Sequence, residues 1–171
     1  GHVKSILVTS SMPGEGKSFV ASNLAVAFAQ AGSKVLIVDC DMRRGRLHDI
    51  FNVNNYKGLS LLLIDEINEK SSKYFKKTEV SNLYVLPRGI VPPNPSEIVA
   101  SEKNRKLCEI LESKFDIVIY DGVPASGLAD AIIMADIVDK IVIVSAYKQT
   151  KMEQLQNTKK ALEKFQDKIA G

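Results

Sequence analysis

The segment "SSMPGEGKS", residues 10–18, directly follows the apolar run "SILVT", residues 5–9. It ends in the Gly-Lys-Ser that closes the phosphate-binding pattern G-x-x-x-x-G-K-[ST], but it has Ser11 where that pattern has its leading glycine. A strand that leads through a glycine-rich turn into a helix presents backbone N–H groups and a positive helix end to an anion. The segment therefore predicts a phosphate cradle, in which Ser11 is acceptable if its φ angle is negative.

Four residues of this cradle have an expected role. Gly14 and Gly16 would let the backbone approach phosphate oxygens without an intervening Cβ atom. Lys17 would reach the β- and γ-phosphate oxygens, and the Ser18 hydroxyl would contact Mg²⁺. The alternative is that a glycine-rich turn merely closes a tight corner, and the Lys-Ser pair in register after Gly16 argues against it.

The pattern of apolar residues predicts the fold around the cradle. Short unbroken aliphatic blocks are typical of parallel strands that helices cover on both faces. Their alternation with helical segments indicates an α/β fold with a doubly wound, mostly parallel sheet, the P-loop NTPase fold. The predicted strands are 5–9, 34–39, 115–121 and 140–145, with a weaker one at 82–87, and the predicted helices are 17–31, 96–113, 127–136 and 151–169.

We expect one domain over residues 1–171, with one further strand of the fold falling beyond the last helix. The polar, charge-rich stretch 65–81 predicts a solvated surface loop.

The composition excludes several other classes of protein. The sequence contains no run of about 18 apolar residues, so no membrane-spanning helix is predicted. Cys40 and Cys108 lie far apart, which favours buried free thiols in a reducing cytosol. The net charge of +3 comes without a basic-aromatic stripe, so nucleic-acid binding is not predicted.

Three carboxylates end two of the predicted strands. Asp39 and Asp41 lie two apart in "VLIVDCDMRRGRLH", and Asp121 ends "FDIVIYD". Ligands of open parallel sheets bind at this edge, so carboxylates that converge there with Ser18 predict a Mg²⁺ site. Taken singly, Asp41 could instead cap a loop and Asp121 could be a turn residue.

Four segments together resemble the cytoplasmic catalytic domain of the bacterial tyrosine kinases, or BY-kinases, of capsule and exopolysaccharide synthesis. They are "SSMPGEGKS" as Walker A, "VLIVDCDMRRGRLH" as Walker A′, "LPRGIVPPNPSEIVAS" as a proline-rich loop and helix, and "FDIVIYDGVP" as Walker B, followed by "LADA". The resemblance covers nearly all of residues 3–171. It implies an autophosphorylating, ATP-dependent tyrosine kinase of the MinD/ParA-like P-loop superfamily.

The resemblance also implies roles for individual residues. Lys17, Asp39 and Asp41 would be catalytic, with Asp39 as the base that accepts the tyrosine proton. Ser18, Asp41 and Asp121 would hold Mg²⁺. The residues expected to bind ATP are Pro13, Gly14, Glu15, Gly16, Lys17, Ser18 and Phe19.

Partners and location follow from the same resemblance. It implies a transmembrane activator or co-polymerase, fused or separate, protein tyrosine substrates, and a homo-oligomeric full-length form at the cytoplasmic face of the membrane. The family's N-terminal oligomerisation helix and C-terminal tyrosine cluster are not found in residues 1–171. "DGVP" also replaces the family's usual Asp-Thr-Pro-Pro after Walker B, which leaves the stiffness of that loop open.

Two other functions compete with the kinase. A ParA/MinD-type sorting ATPase would carry an extra lysine early in the P-loop, where this chain has Met12. A non-catalytic nucleotide switch of a membrane co-polymerase would not need the carboxylates to be intact. The basic residues Arg43, Arg44 and Arg46 fit either a solvated turn or contact with phosphate, a neighbouring subunit or an activator.

Overall fold

The computed structural model describes residues 2–14, 16–65, 69–124, 128–146 and 151–171. Within them the strands are β1 (Ser5–Ser10), β2 (Val35–Asp39), β3 (Lys76–Lys77), β4 (Leu83–Leu86), β5 (Ile117–Asp121) and β6 (Lys140–Val144). They form one sheet in the order β3-β4-β2-β5-β1-β6, parallel throughout except between β3 and β4. The predicted mostly parallel sheet is confirmed.

The described helices are α1 (Lys17–Gln30), α2 (Leu47–Ile50), α3 (Leu59–Ile64), α4 (Pro95–Val99), α5 (Glu102–Lys114), α6 (Leu128–Ile137) and α7 (Met152–Ala161). Two 3₁₀ segments, Glu69–Tyr74 and Glu163–Lys168, complete the regular structure. None of the helices among the described residues combines the length and the apolar character that a membrane crossing requires.

Both faces of the sheet are buried, which explains why the strands are unbroken aliphatic runs. Along β1, Ile6 and Val8 pack in one core cluster with the alanines of α1, whereas Leu7 packs in a second cluster with residues of α5 and α6. Successive side chains of a strand point to opposite faces, so a strand that is covered on both faces consists mainly of apolar residues. The sheet is therefore doubly wound, as predicted.

The predicted helix 96–113 is in fact two helices. Ser101 separates α4 from α5 with an extended backbone conformation, φ −72° and ψ 151°. Its hydroxyl donates to the Ile98 carbonyl at 2.6 Å and accepts from the Asn104 N–H at 3.2 Å, so it caps the start of α5. The prediction of one continuous helix was wrong because the capping serine offers the backbone a better local partner than the helix does.

Four further segments differ from the prediction. The stretch 65–81 is not only loop, since it contains a 3₁₀ segment and β3, and Tyr74 in it is buried with its hydroxyl donating to Asp65 at 2.8 Å. The predicted helix 151–169 changes to 3₁₀ geometry after Leu162. Helices α2 and α3 were not predicted. Their short apolar runs lack the length that makes a helical period recognisable.

The end of the chain lies along β6. Ile169 forms a parallel bridge with Ile141, and the Ile143 N–H donates to the Gly171 carbonyl at 2.8 Å. Residues 169–171 therefore pair in parallel with the side of β6 that faces away from β1.

Replacing Ser101 with alanine removes the cap of α5. We expect the free energy of unfolding to fall by about 1 kcal/mol, as for other lost N-caps, measured by urea unfolding. The control is Ser113→Ala near the end of the same helix, where the exposed hydroxyl only donates to the Ile110 carbonyl. Its effect should stay within about 0.5 kcal/mol. Equal losses in the two variants would contradict the capping role.

Candidate active site

The loop between β1 and α1 depends on two glycines in the left-handed region. Gly14 has φ +81° and Gly16, which caps α1, has φ +82°, and a Cβ at either position would meet no atom within 4 Å. Glycine is therefore favoured at both positions by the backbone conformation. Lack of space is not the reason, because the surrounding protein leaves room for a side chain. Among the described non-glycine residues only Asn52 and Asn82 have positive φ, so Ser11 satisfies the condition that the sequence set for it.

A pocket of about 300 Å³ opens beside this loop. Most of the residues predicted to bind ATP line it, together with Asp41, and Phe19 among them is 69% exposed. Glu15 lies outside the described residues. The lining residues are Ser10, Pro13, Gly14, Gly16, Lys17, Ser18, Phe19, Asp41, Arg44, Gly45 and Pro124.

Asp121 joins the P-loop to the middle of the sheet. Its carboxylate is fully buried, accepts a hydrogen bond from the Ser18 hydroxyl at 2.7 Å, and forms an ion pair with the Lys17 ammonium group. Asp121 also lies opposite Asp39 in the register of β5 and β2. The structure thus brings together the lysine, the serine and two of the three predicted carboxylates.

Asp39 lies beneath the pocket and does not line it. Its carboxylate is fully buried and accepts hydrogen bonds from the backbone N–H groups of Asp41 and Leu47, each at 3.2 Å. Burial, and secondarily the negative charge of Asp121, raise the pKa of Asp39 from 3.8 to about 7. The turn formed by residues 40–46, which we call the A′ turn, separates this carboxylate from the pocket.

Asp41 caps the A′ turn and also lines the pocket. One of its carboxylate oxygens accepts the Arg44 N–H at 3.0 Å, as a loop-capping residue would. The same residue lines the pocket with Ser18. The cap therefore fixes Asp41 in place within the candidate site.

Gly45 is the functional position that the sequence reasoning missed. An added Cβ would lie closer than 3.0 Å to both carboxylate oxygens of Asp39, so the A′ turn can cover Asp39 only with glycine here. Arg44 and Pro124 also line the pocket, although neither belonged to the predicted ATP-binding set. For Arg44 the signal was its positive charge after the Walker A′ motif, for which contact with phosphate was one of the alternatives considered. For Pro124 the signal was its proximity in sequence to the Walker B carboxylate.

The donor set of the site fits Mg²⁺. Ser18 and Asp121 offer hydroxyl and carboxylate oxygens 2.7 Å apart, and Asp41 lines the pocket together with Ser18. Across the described ranges, no group of three or more His, Cys, Asp or Glu side chains could hold a metal ion by itself. Mg²⁺ is commonly held by one or two carboxylates together with substrate phosphates and waters, so this sparse set suits it.

Comparison with known proteins identifies the family. A family model described as an AAA domain matches residues 3–170. "Tyrosine-protein kinase YwqD" of Bacillus subtilis (strain 168) is 38% identical over 173 residues, covering 99% of this chain and 71% of the relative. This chain belongs to the bacterial tyrosine-protein kinases. The resemblance drawn from its four motifs is confirmed.

Two solved structures share the fold of this chain. The chimerical protein CapA2B2 superimposes with a TM-score of 0.93 at 38% identity, covering 100% of this chain and 75% of the other. The kinase domain of the Escherichia coli tyrosine kinase ETK gives a TM-score of 0.90 at 33% identity, covering 98% of this chain and 65% of the other.

The sorting-ATPase alternative fits less well. The septum site-determining protein MinD from Pyrococcus horikoshii OT3, solved with Mg-ADP, gives a TM-score of 0.79 at 25% identity over 98% of this chain and 68% of its own. It shares the P-loop NTPase fold and so the nucleotide-binding architecture. Its lower similarity places this domain with the kinases, in agreement with Met12 in place of the signature lysine.

Replacing Gly45 with alanine tests the close approach to Asp39. We expect Gly45→Ala to be destabilising in the wild-type background and much less so in an Asp39→Ala background, where the clashing carboxylate is gone. The coupling free energy from the four unfolding curves should be about 1–3 kcal/mol. Additive effects would show that the turn avoids the clash in another way.

Proposed function

We propose that this kinase domain transfers the γ-phosphoryl group of ATP to tyrosine with the help of Mg²⁺, autophosphorylates, and regulates the synthesis and export of a capsular or extracellular polysaccharide. The observation that carries the proposal is the contact of Lys17 and Ser18, which line the P-loop pocket, with the buried carboxylate of Asp121. The family membership supplies the identity of the acceptor.

The P-loop residues would bind and orient the triphosphate. Lys17 follows the loop directly and lines the pocket, so its ammonium group can neutralise charge on the β- and γ-phosphates. The backbone at Gly14 and Gly16 lines the same pocket, and with the N-terminus of α1 it would face the triphosphate. Ser18, Asp41 and Asp121 would hold Mg²⁺, which neutralises developing charge on the transferred group when bound.

Asp39 would accept the proton of the attacking tyrosine. A phenol has a pKa near 10 and is a weak nucleophile at neutral pH, so a carboxylate beside the γ-phosphate assists the attack. Because Asp39 lies beneath the A′ turn, it can act only where that turn allows the acceptor to approach. The position of the A′ turn therefore determines both the access of the acceptor to Asp39 and the placement of Asp41.

The partners remain those that the family implies. We propose a transmembrane activator or co-polymerase, fused or separate, that holds the domain at the cytoplasmic face of the membrane, and a homo-oligomeric full-length form. The match to CapA2B2, a protein described as chimerical, is compatible with kinase chains that work with a second polypeptide segment.

The first test is a Lys17→Met substitution in the full-length chain. With Mg²⁺ and labelled ATP, phosphotyrosine detected by antibody should fall by at least about 100-fold, because the triphosphate loses its main cationic partner. The matched control is Lys106→Met, which removes an exposed lysine of α5. It should leave the signal unchanged. Nucleotide hydrolysis without phosphotyrosine in the wild type, even with an activator segment added, would favour the sorting ATPase or the switch.

A second test separates the base from nucleotide binding. Asp39→Asn should lower kcat for tyrosine phosphorylation by about 10²–10⁴-fold, the usual contribution of a general base. The Kd for Mg-ATP should change little, because Asp39 does not line the pocket. A parallel loss of ATP binding and transfer would instead assign Asp39 to the nucleotide site. Titration calorimetry and the phosphotyrosine assay together decide this.

A further inference from the structure

Arg88 follows β4, and its side chain reaches the A′ turn. Its Nε donates to the Gly45 carbonyl at 2.8 Å, and its Nη1 donates to the Gly89 carbonyl at 2.6 Å. The side chain is half-buried and forms no ion pair within the part of the chain that the structure describes. The guanidinium charge is thus directed at two backbone carbonyls, and hydrogen bonds from charged donors are among the stronger ones.

The Gly45 peptide connects Arg88 to the site. The Gly45 N–H donates to the Asp41 carbonyl at 2.8 Å, and its Cα faces the Asp39 carboxylate. Two residues later, the Leu47 N–H donates to that same carboxylate at 3.2 Å. A shift of the Gly45 peptide would therefore move the backbone of Asp41 and change the cover over Asp39.

The other end of the Arg88 bridge is firmly anchored. Gly89 and the Asn55 side chain form a reciprocal pair, N–H to Oδ1 at 2.8 Å and Nδ2 to the carbonyl at 3.2 Å. In α3, the Ser60 N–H donates to the Arg88 carbonyl at 3.1 Å and its hydroxyl donates to Ile90 at 2.6 Å. The backbone of residues 88–90 is therefore held in place by α3 and Asn55, and the Arg88 side chain extends from it to the A′ turn.

We propose that Arg88 is a positioning residue for phosphoryl transfer, which fixes the A′ turn through the Gly45 carbonyl and thereby sets Asp41 and Asp39; this rests on the kinase function proposed above. Arg88 does not line the pocket, so its action passes through the turn and not through the nucleotide. Only a planar fork supplies two donors in fixed directions, so lysine can replace it only in part.

Amide hydrogen exchange tests the positioning without reference to activity. In Arg88→Ala, exchange at the Gly45 and Leu47 amides should accelerate by at least about tenfold, because the turn loses a charge-assisted hydrogen bond. The amide of Leu7 in the central strand should keep its wild-type rate. The matched control is Arg105→Ala, which removes an arginine that pairs with Asp136 on the surface. Unchanged exchange in the A′ turn would overturn the proposal.

Steady-state kinetics of the full-length chain test the consequence. Arg88→Ala should lower kcat for phosphotyrosine formation by about 10–100-fold, as small displacements of catalytic groups do, and should change the KM for ATP by less than about threefold. Arg88→Lys should recover part of kcat, and guanidinium added at non-denaturing concentrations should partly rescue Arg88→Ala.

The outcomes separate the two proposals. A raised KM with retained kcat would make Arg88 a substrate-binding residue, and a lowered melting temperature with unchanged kcat would make it merely structural; either overturns the positioning role. A wild-type chain that forms no phosphotyrosine defeats the proposed function alone. In that case the exchange rates at Gly45 and Leu47 still decide whether Arg88 holds the turn.

Discussion

The site depends on the register in which β2 pairs with β5. This register places Asp39 directly opposite Asp121, and β1 on the other side of β5 brings the P-loop to the same sheet edge. Because side chains alternate between the two faces of a strand, a slip of one residue would turn either carboxylate to the opposite face. Such a slip would also exchange the side chains that pack in the two core clusters, one against α1 and the other against α5 and α6. Core packing and site geometry are therefore one constraint.

This register brings two carboxylates together where water does not reach them. Lys17 pairs with Asp121, whereas Asp39 accepts hydrogen bonds from the backbone N–H groups of Asp41 and Leu47, and burial raises the pKa of Asp39 from 3.8 to about 7. The folded chain thus holds that proton more tightly than the unfolded chain does. This single group lowers the free energy of unfolding as pH rises from about 4 to about 7. The loss of stability therefore arises at the residue that the proposed reaction uses as its base.

Much of the fold could be predicted because the deciding signals are local. Five of the strands follow from aliphatic runs, and α1 follows from the P-loop motif that precedes it. The break at Ser101 also has a local cause, but a capping serine inside a long helical pattern is hard to separate from a surface serine. The buried Tyr74 and its bond to Asp65 could not be predicted, because a contact between loop residues leaves no period in the sequence.

The glycines show why the roles of Gly14 and Gly16 could be predicted from the sequence and the role of Gly45 could not. Gly14 and Gly16 are required by their own φ angles, a local property that recurs wherever this turn occurs, so a motif records it. Gly45 is required by a carboxylate six residues earlier, and its carbonyl is held by Arg88 from another strand end. Such a requirement exists only once the sheet has formed. The P-loop accounts for nucleotide binding, which kinases share with MinD-like ATPases, so the features that direct the phosphoryl group to tyrosine are to be sought in tertiary contacts like these.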